Sequence, residues 1–197
     1  MAASGLSHSA QCGRHAYAER GNDCYPTTPG ATRALLQAEP VPHFAWDCAC
    51  GTGNITTELR AAGHEVVATD IADYGIPITA PGYYGVDFLL ERQAPARCEA
   101  IVCNPPYKLA PQFVRHELTL VPFTAMLLRL AFLESASRTD ILEHSGLSTV
   151  LVFRKRLPMM HRHGWNGPLA SNSMAFAWFV WRRDWRGNPQ IKRIDRA

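Results

Sequence analysis

The 197-residue chain predicts an α/β fold built on a mostly parallel sheet. Three observations carry that expectation. Short apolar runs alternate along the chain with helical stretches. The runs are apolar throughout rather than at every second residue, as in strands covered on both faces. One of them feeds directly into Gly51-Thr52-Gly53 and a helix start, a strand–turn–helix unit. With 47% hydrophobic and 19% charged residues, the chain holds enough core for one domain. Its most apolar stretch, from Val121 to Leu133, is interrupted by Arg129, so no membrane span is expected. No internal repeat is visible.

Residues 1–22 are small and polar, without the apolar segment of a secretion signal, and read as a flexible tail. The rigid Tyr25-Pro26-Thr27-Thr28-Pro29-Gly30 precedes a helix from Ala31 to Ala38, stopped by Pro40 and Pro42. A strand over Phe44–Cys48 enters the glycine turn. A helix capped by Asn54 runs to about Ala62, with Gly63 as its terminating glycine. Residues 65–70 form the next strand, ending on Asp70. Residues 71–97, rich in Gly and Pro, are expected to be irregular. Ala100–Cys103 is a buried strand running into Asn104-Pro105-Pro106-Tyr107. A helix from about Pro111 to Leu118, a strand over Phe123–Leu130 and a helical stretch broken near Ser137 follow. Ser148–Phe153 is a strand, residues 154–172 a basic loop, and Ser173–Trp181 the last strand. Residues 184–197 read as a basic, polar tail. The domain thus spans 23–183.

The six cysteines do not space as a disulfide framework, and reduced thiols in a cytoplasmic setting are expected. No metal is expected either. Only Cys48-Ala49-Cys50 and the His161/His163 pair approach ligand spacing, and neither is a recognised pattern.

Two motifs carry chemistry. In Asp47-Cys48-Ala49-Cys50-Gly51-Thr52-Gly53-Asn54 the glycines permit positive φ and close approach of the backbone to a ligand. Asp70, 19 residues beyond Gly51, can accept hydrogen bonds from a ribose diol. Thr56 stands where a dinucleotide fingerprint needs a third small residue, and no Gly-Lys-Ser/Thr is present. The pattern therefore fits a nucleoside cofactor without a pyrophosphate. In Asn104-Pro105-Pro106-Tyr107 the prolines fix a rigid backbone. There an Asn oxygen and a neighbouring carbonyl can both accept from one NH₂ group, beside an aromatic ring.

In this order the motifs resemble those of S-adenosylmethionine-dependent amino-group methyltransferases, most of all small phage-type adenine-N6 DNA methyltransferases. The resemblance covers roughly residues 23–182, including a Tyr25-Pro26-Thr27 segment that departs from the usual pattern at Thr28 and Gly30. It implies a Rossmann-like class I methyltransferase fold: a seven-stranded, mostly parallel sheet with an antiparallel last strand and helices on both faces. S-adenosyl-L-methionine is the implied cofactor. Tyr25, Thr27, Asp47, Cys48, Gly51 and Gly53 would lie on its methionine side, and Asp70 and Ile71 at its ribose. Asp87 and Phe88 would read its adenine, a helix N-cap being the alternative for Asp87. Asn104 and Pro105 would hold the target amino group, with Pro106 shaping the turn and Tyr107 stacking on the target ring. Phe176 and Trp178 read as core aromatics rather than a target-pocket wall.

Charge is unevenly spread. Residues 1–150 carry a net −5 and residues 151–197 a net +8. The basic segment suggests a polyanion, DNA first, contacted by Arg154, Lys155, Arg156, Arg162, His163 and Trp165. The chain has no room for a separate target-recognition region, so a second subunit is one way to complete recognition. The implied activity is methyl transfer to adenine N6 in DNA by direct attack. RNA adenine, a protein glutamine amide, and a non-catalytic cofactor-binding subunit are the alternatives.

Overall fold

A computed structural model describes residues 24–74, 81–159 and 174–196. They form one eight-stranded sheet flanked by helices. In chain order the elements are α1 (Pro29–Ala38), β1 (Phe44–Asp47), α2 (Asn54–Ala61), β2 (Glu65–Asp70), β3 (Gly82–Tyr84), β4 (Ala100–Cys103), α3 (Ala110–Leu120), β5 (Phe123–Arg129), α4 (Thr139–Glu143), β6 (Leu147–Phe153), β7 (Phe176–Arg182) and β8 (Gln190–Ile194). The spatial order is β3-β2-β1-β4-β5-β7-β6-β8. Strands β1 to β5 pair in parallel, β7 runs antiparallel between β5 and β6, and β8 lies parallel to β6.

Helix α1 starts two residues earlier than expected because Pro29 occupies its first turn, where a missing N–H costs nothing. It ends at Glu39, which Pro40 holds extended. Helix α2 ends as its glycine predicts. Gly63 has φ +92°, its N–H bonds to Arg60 O, and the His64 N–H reaches back to Leu59 O.

Strand alternation divides the core in two. Ala100 and Val102 of β4 face a layer with Leu35 of α1 and Leu59 of α2. Ile101 and Cys103 face the opposite layer, with Val114 of α3 and Ile141 of α4. The apolar runs are thus buried on both sides, as their unbroken hydrophobicity predicts.

Three expectations are corrected. Residues 71–97 are not wholly irregular, since β3 and a 3₁₀ turn at Phe88–Leu90 lie within them. The helical stretch after β5 resolves into two 3₁₀ turns (Leu130–Leu133 and Ala136–Arg138) and α4. Residues 184–197 are not a tail throughout, because 190–194 form β8 and extend the sheet. The tail at 1–22 and most of the 154–172 loop lie outside the described residues.

Glu39 anchors the added strand. It is buried, and its two oxygens accept from Arg182 of β7 at 2.9 Å and Lys192 of β8 at 3.0 Å. Burial alone would push its carboxyl up, but the two cations outweigh that and hold it below the usual carboxylate range. A lowered folded pKa contributes stability above the unfolded value, and that stability is lost as pH falls through the folded one. Both cations are partly exposed, which holds the gain to about 1–2 kcal/mol. Glu39→Gln should lower the melting temperature at neutral pH. Melting curves of the two proteins should converge as pH falls through and below the lowered Glu39 range.

Candidate functional site

The order in which strands are added to the sheet reverses between the parallel β1 and β4, and the crevice between their C-terminal ends is where ligands enter such sheets. A cavity of about 300 Å³ opens there. Of the sequence-predicted residues, Tyr25, Thr27, Cys48, Gly51, Asp70, Ile71, Asp87, Phe88, Asn104 and Pro106 line it. Residues from five separate segments therefore converge on one space.

The loop after β1 is built on Gly51 and Gly53, with φ +52° and +76°. A Cβ at Gly51 would come within 3.0 Å of the Cys24 sulfur, so only glycine fits. The loop docks on the end of β2. The Cys50 N–H bonds to Thr69 O, and the Gly51 N–H donates to Asp70 Oδ2 at 2.8 Å. Asp70 Oδ1 accepts from the Ala72 N–H at 2.9 Å. Burial raises the Asp70 carboxyl above its usual range, and these backbone bonds offset part of the rise. Asp87 makes the helix-type cap given as the alternative for it, accepting from the Leu89 N–H at 3.0 Å, and it also lines the cavity. Phe88 is held edge-on to Trp46 with ring centroids 5.1 Å apart.

Four predicted residues do not line the cavity. Asp47 lies fully buried beneath the loop, where its Oδ2 accepts from the Thr56 N–H at 3.2 Å and the Thr56 hydroxyl at 2.7 Å. It positions α2. Burial pushes its carboxyl up to about 7, the Thr56 bonds partly offset that, and Asp70 adds to it. Gly53 serves the turn through its backbone conformation, with open space where a side chain would stand. Pro105 is buried behind the turn. Tyr107 joins an aromatic cluster beside the cavity. Its ring lies 5.6 Å from Tyr25 and 5.8 Å from Phe176, and the Arg129 guanidinium stands 4.6 Å from its centre. Trp178 is a core residue, as expected; its indole N–H donates to Ala31 O at 2.8 Å.

Two asparagines hold the 24–28 arm against the site. Asn54 Nδ2 donates to Thr27 O at 2.8 Å while its Oδ1 accepts from the Thr52 hydroxyl. Asn104 Nδ2 donates to Tyr25 O at 3.0 Å and to Thr27 Oγ1 at 3.2 Å. Because a carbonyl oxygen can only accept, these bonds fix the amide orientation. Asn104 Oδ1 is left buried with no partner among the described residues. Sequence reading took Asn54 as a cap; Gly53 caps instead, and Asn54 serves as the clamp. It also missed Tyr74 and Phe113 in the cavity wall. Phe113 was detectable as an apolar residue on the inner face of a helix, whereas Tyr74 gave no local signal.

Of the basic residues, Arg154 is exposed and paired with Asp195. Lys155 and Arg156 are exposed, while Leu157 and Met159 beside them are buried. Arg162, His163 and Trp165 lie outside the described residues. β6 is parallel to β4 and β5 through its antiparallel pairing with β7, so residue 154 leaves the sheet at the same edge as the cavity.

No protein-family model matches the sequence, and no curated protein matches it significantly. Solved structures do match its fold. The chain is similar to the Mtq2–Trm112 complex of E. cuniculi, responsible for methylation of the eRF1 translation termination factor. That match has 18% identity and a TM-score of 0.57, over 82% of this chain and 99% of that one. It is similar to 23S rRNA methyltransferase ErmE, with 19% identity and a TM-score of 0.52, over 84% and 71%. It is also similar to a TehB-like SAM-dependent methyltransferase from Corynebacterium glutamicum, with 17% identity and a TM-score of 0.50, over 85% and 92%. The fold is thus the Rossmann-like methyltransferase fold, with β8 added at one edge. Among the described residues no helix is long and apolar enough to cross a membrane.

The clamp is testable without knowledge of the ligand. Asn54→Ala removes a hydrogen bond worth about 1 kcal/mol. Amide hydrogen exchange over residues 24–28 should accelerate several-fold, with the strands unchanged.

Proposed function

We propose that this chain is an S-adenosylmethionine-dependent methyltransferase acting on the N6 amino group of adenine in DNA. One observation carries the reading: Asn104 lines the cavity, its amide nitrogen is taken up by the arm, and its oxygen is buried with no partner among the described residues. Leaving such an acceptor unmet costs about 1–3 kcal/mol, which an incoming N–H donor recovers. An amino group donating to Asn104 Oδ1 would be held by that acceptor, and the bond strengthens as positive charge builds on its nitrogen during transfer.

The cavity suits the cofactor in its acceptors and its aromatic lining. The Asp70 carboxylate stands at the end of β2, where a ribose diol would bind it. Asp87 and Phe88 offer an acceptor and a ring face to a purine. The glycine loop leaves room at Gly51, and the arm closes over the far side. When bound, S-adenosylmethionine supplies an electrophilic methyl group. Cys48 and Cys103 are not nucleophiles here: burial pushes the Cys48 thiol up to about 12 and raises Cys103 well above its usual value. In duplex DNA the target base must leave the stack to reach Asn104.

The basic residues 154–156, at the same end of the sheet as the cavity, support a nucleic acid, while the similar structures are named for rRNA and protein methylation, the two alternative acceptors. Labelled cofactor should be offered with duplex DNA, single-stranded DNA, RNA and protein extract, followed by nuclease digestion. N6-methyladenine in DNA is the expected product. Label confined to RNA or to protein glutamine would overturn the DNA assignment. Asn104→Ala should reduce transfer about 100- to 1,000-fold, the range seen when a transition-state hydrogen bond is removed. Cofactor affinity, measured by calorimetry, should fall only about tenfold, because the same side chain also holds the arm.

Lys155→Glu with Arg156→Glu should weaken DNA binding. It should also reduce the slope of log affinity against log salt by roughly two. An unchanged slope would mean that these charges face only solvent.

A further inference from the structure

Behind the cavity wall lies a cluster that the proposed reaction does not use. Cys48 directly follows β1 and Cys103 ends β4, and these two strands are paired, with Ala45 opposite Ala100 and Trp46 opposite Ile101. Both side chains face the α3 layer. Glu117 of α3 enters that layer fully buried. Its Oε1 lies 3.6 Å from Cys48 Sγ and 3.4 Å from Cys103 Sγ, and one donor atom from each residue lies within 4.8 Å of the others.

We infer that Cys48, Cys103 and Glu117 form a binding site for one thiophilic divalent cation of the zinc class. A tetrahedral zinc ion with bonds of about 2.3 Å to sulfur and 2.0 Å to oxygen sets sulfur–oxygen edges near ~3.5 Å. The two observed separations bracket that value. A second observation separates this reading from a trio of thiol hydrogen bonds. Both thiols converge on Oε1, while Glu117 Oε2 is buried with no partner among the described residues. A hydrogen-bonded trio leaves that oxygen orphaned at a cost. A tetrahedral cation bound through Oε1 would take as its fourth ligand a water entering past Cys48, which also walls the cavity, and that water could donate to Oε2. Binding displaces the two thiol protons and leaves a sulfur–sulfur–oxygen set that charge attraction stabilises. Asp47, buried next to Cys48 in the chain, adds negative potential to the same space. The ion would fasten the C-terminal ends of β1 and β4, whose next residues are the glycine loop and Asn104. The inference stands apart from the choice of methyl acceptor.

The test uses the full chain, stripped with chelator under reducing conditions and titrated with Cd²⁺, then Zn²⁺. One equivalent should bind, with an ultraviolet thiolate-to-cadmium band and a rise in melting temperature. Cys103→Ser and Glu117→Gln should each weaken binding at least 100-fold. Cys98→Ser should not, because that thiol sits outside the cluster and donates to Ala100 O. No saturable uptake of either ion would overturn the site. So would binding unchanged in both variants, which would place the ion at other thiols such as Cys24 and Cys50. Should the variants fail to fold, cadmium NMR of the wild-type chain decides. A resonance in the mixed two-sulfur range supports the site, and one in the oxygen-only or four-sulfur range overturns it.

Discussion

The parallel pairing of β1 with β4 is the constraint on which the molecule depends. These strands are far apart in sequence and adjacent in space, with Trp46 opposite Ile101. The chain builds outward from them in both directions, through β2 and β3 on one side and β5 onward on the other. Their exits must therefore diverge, one leading to the glycine loop and the other to the Asn-Pro-Pro-Tyr turn. The cavity is the gap left by that divergence. Asp70, at the end of β2 beside β1, and Asn104, directly after β4, face one space across this seam.

The interior near the seam is unusually acidic for an apolar core. Asp47, Asp70 and Glu117 are all buried there, and desolvation raises each of them. Local bonds satisfy part of this set: Thr56 meets one oxygen of Asp47, and backbone N–H groups meet both oxygens of Asp70. The oxygens left over, on Asp47 and Glu117, are where the fold carries polar cost. Such costs gather at functional sites because packing elsewhere sustains them.

Much of this was legible in the sequence. Local chemistry spoke clearly where one residue decides one conformation. Gly63 ends α2, Gly51 and Gly53 turn the loop, and the prolines set the boundaries of α1. The apolar runs of β1, β4 and β5 announced strands covered on both faces. Asp70, ending β2, and Asn104, directly after β4, both line the cavity because each stands at the end of a buried strand. The rest depended on partners distant in the chain. β8 reads Gln-Ile-Lys-Arg-Ile, and its charged residues mask an edge strand that pairs only because β6 is there to receive it. Asp47 looked like a ligand contact, yet it is spent on Thr56 one helical turn inside the following helix. Tyr107 looked like a stacking surface, yet Tyr25, Phe176 and Arg129 already crowd its ring. The Cys48, Cys103 and Glu117 cluster escapes any spacing rule, since its members come from two strands and a helix brought together by topology.

The indole of Trp178 donates to the carbonyl of Ala31, 147 residues earlier in the chain. During synthesis α1 emerges first but cannot complete its packing until β7, one of the last strands, leaves the ribosome. Until then Leu35 and the apolar face around it have only part of their eventual cover. Synthesis at about 5–20 residues per second makes that interval on the order of ten seconds. A half-made chain therefore presents a sticky amphipathic helix at its leading end for much of its synthesis. Its yield in a cell would accordingly depend on chaperone supply and translation speed as well as on the stability of the finished fold.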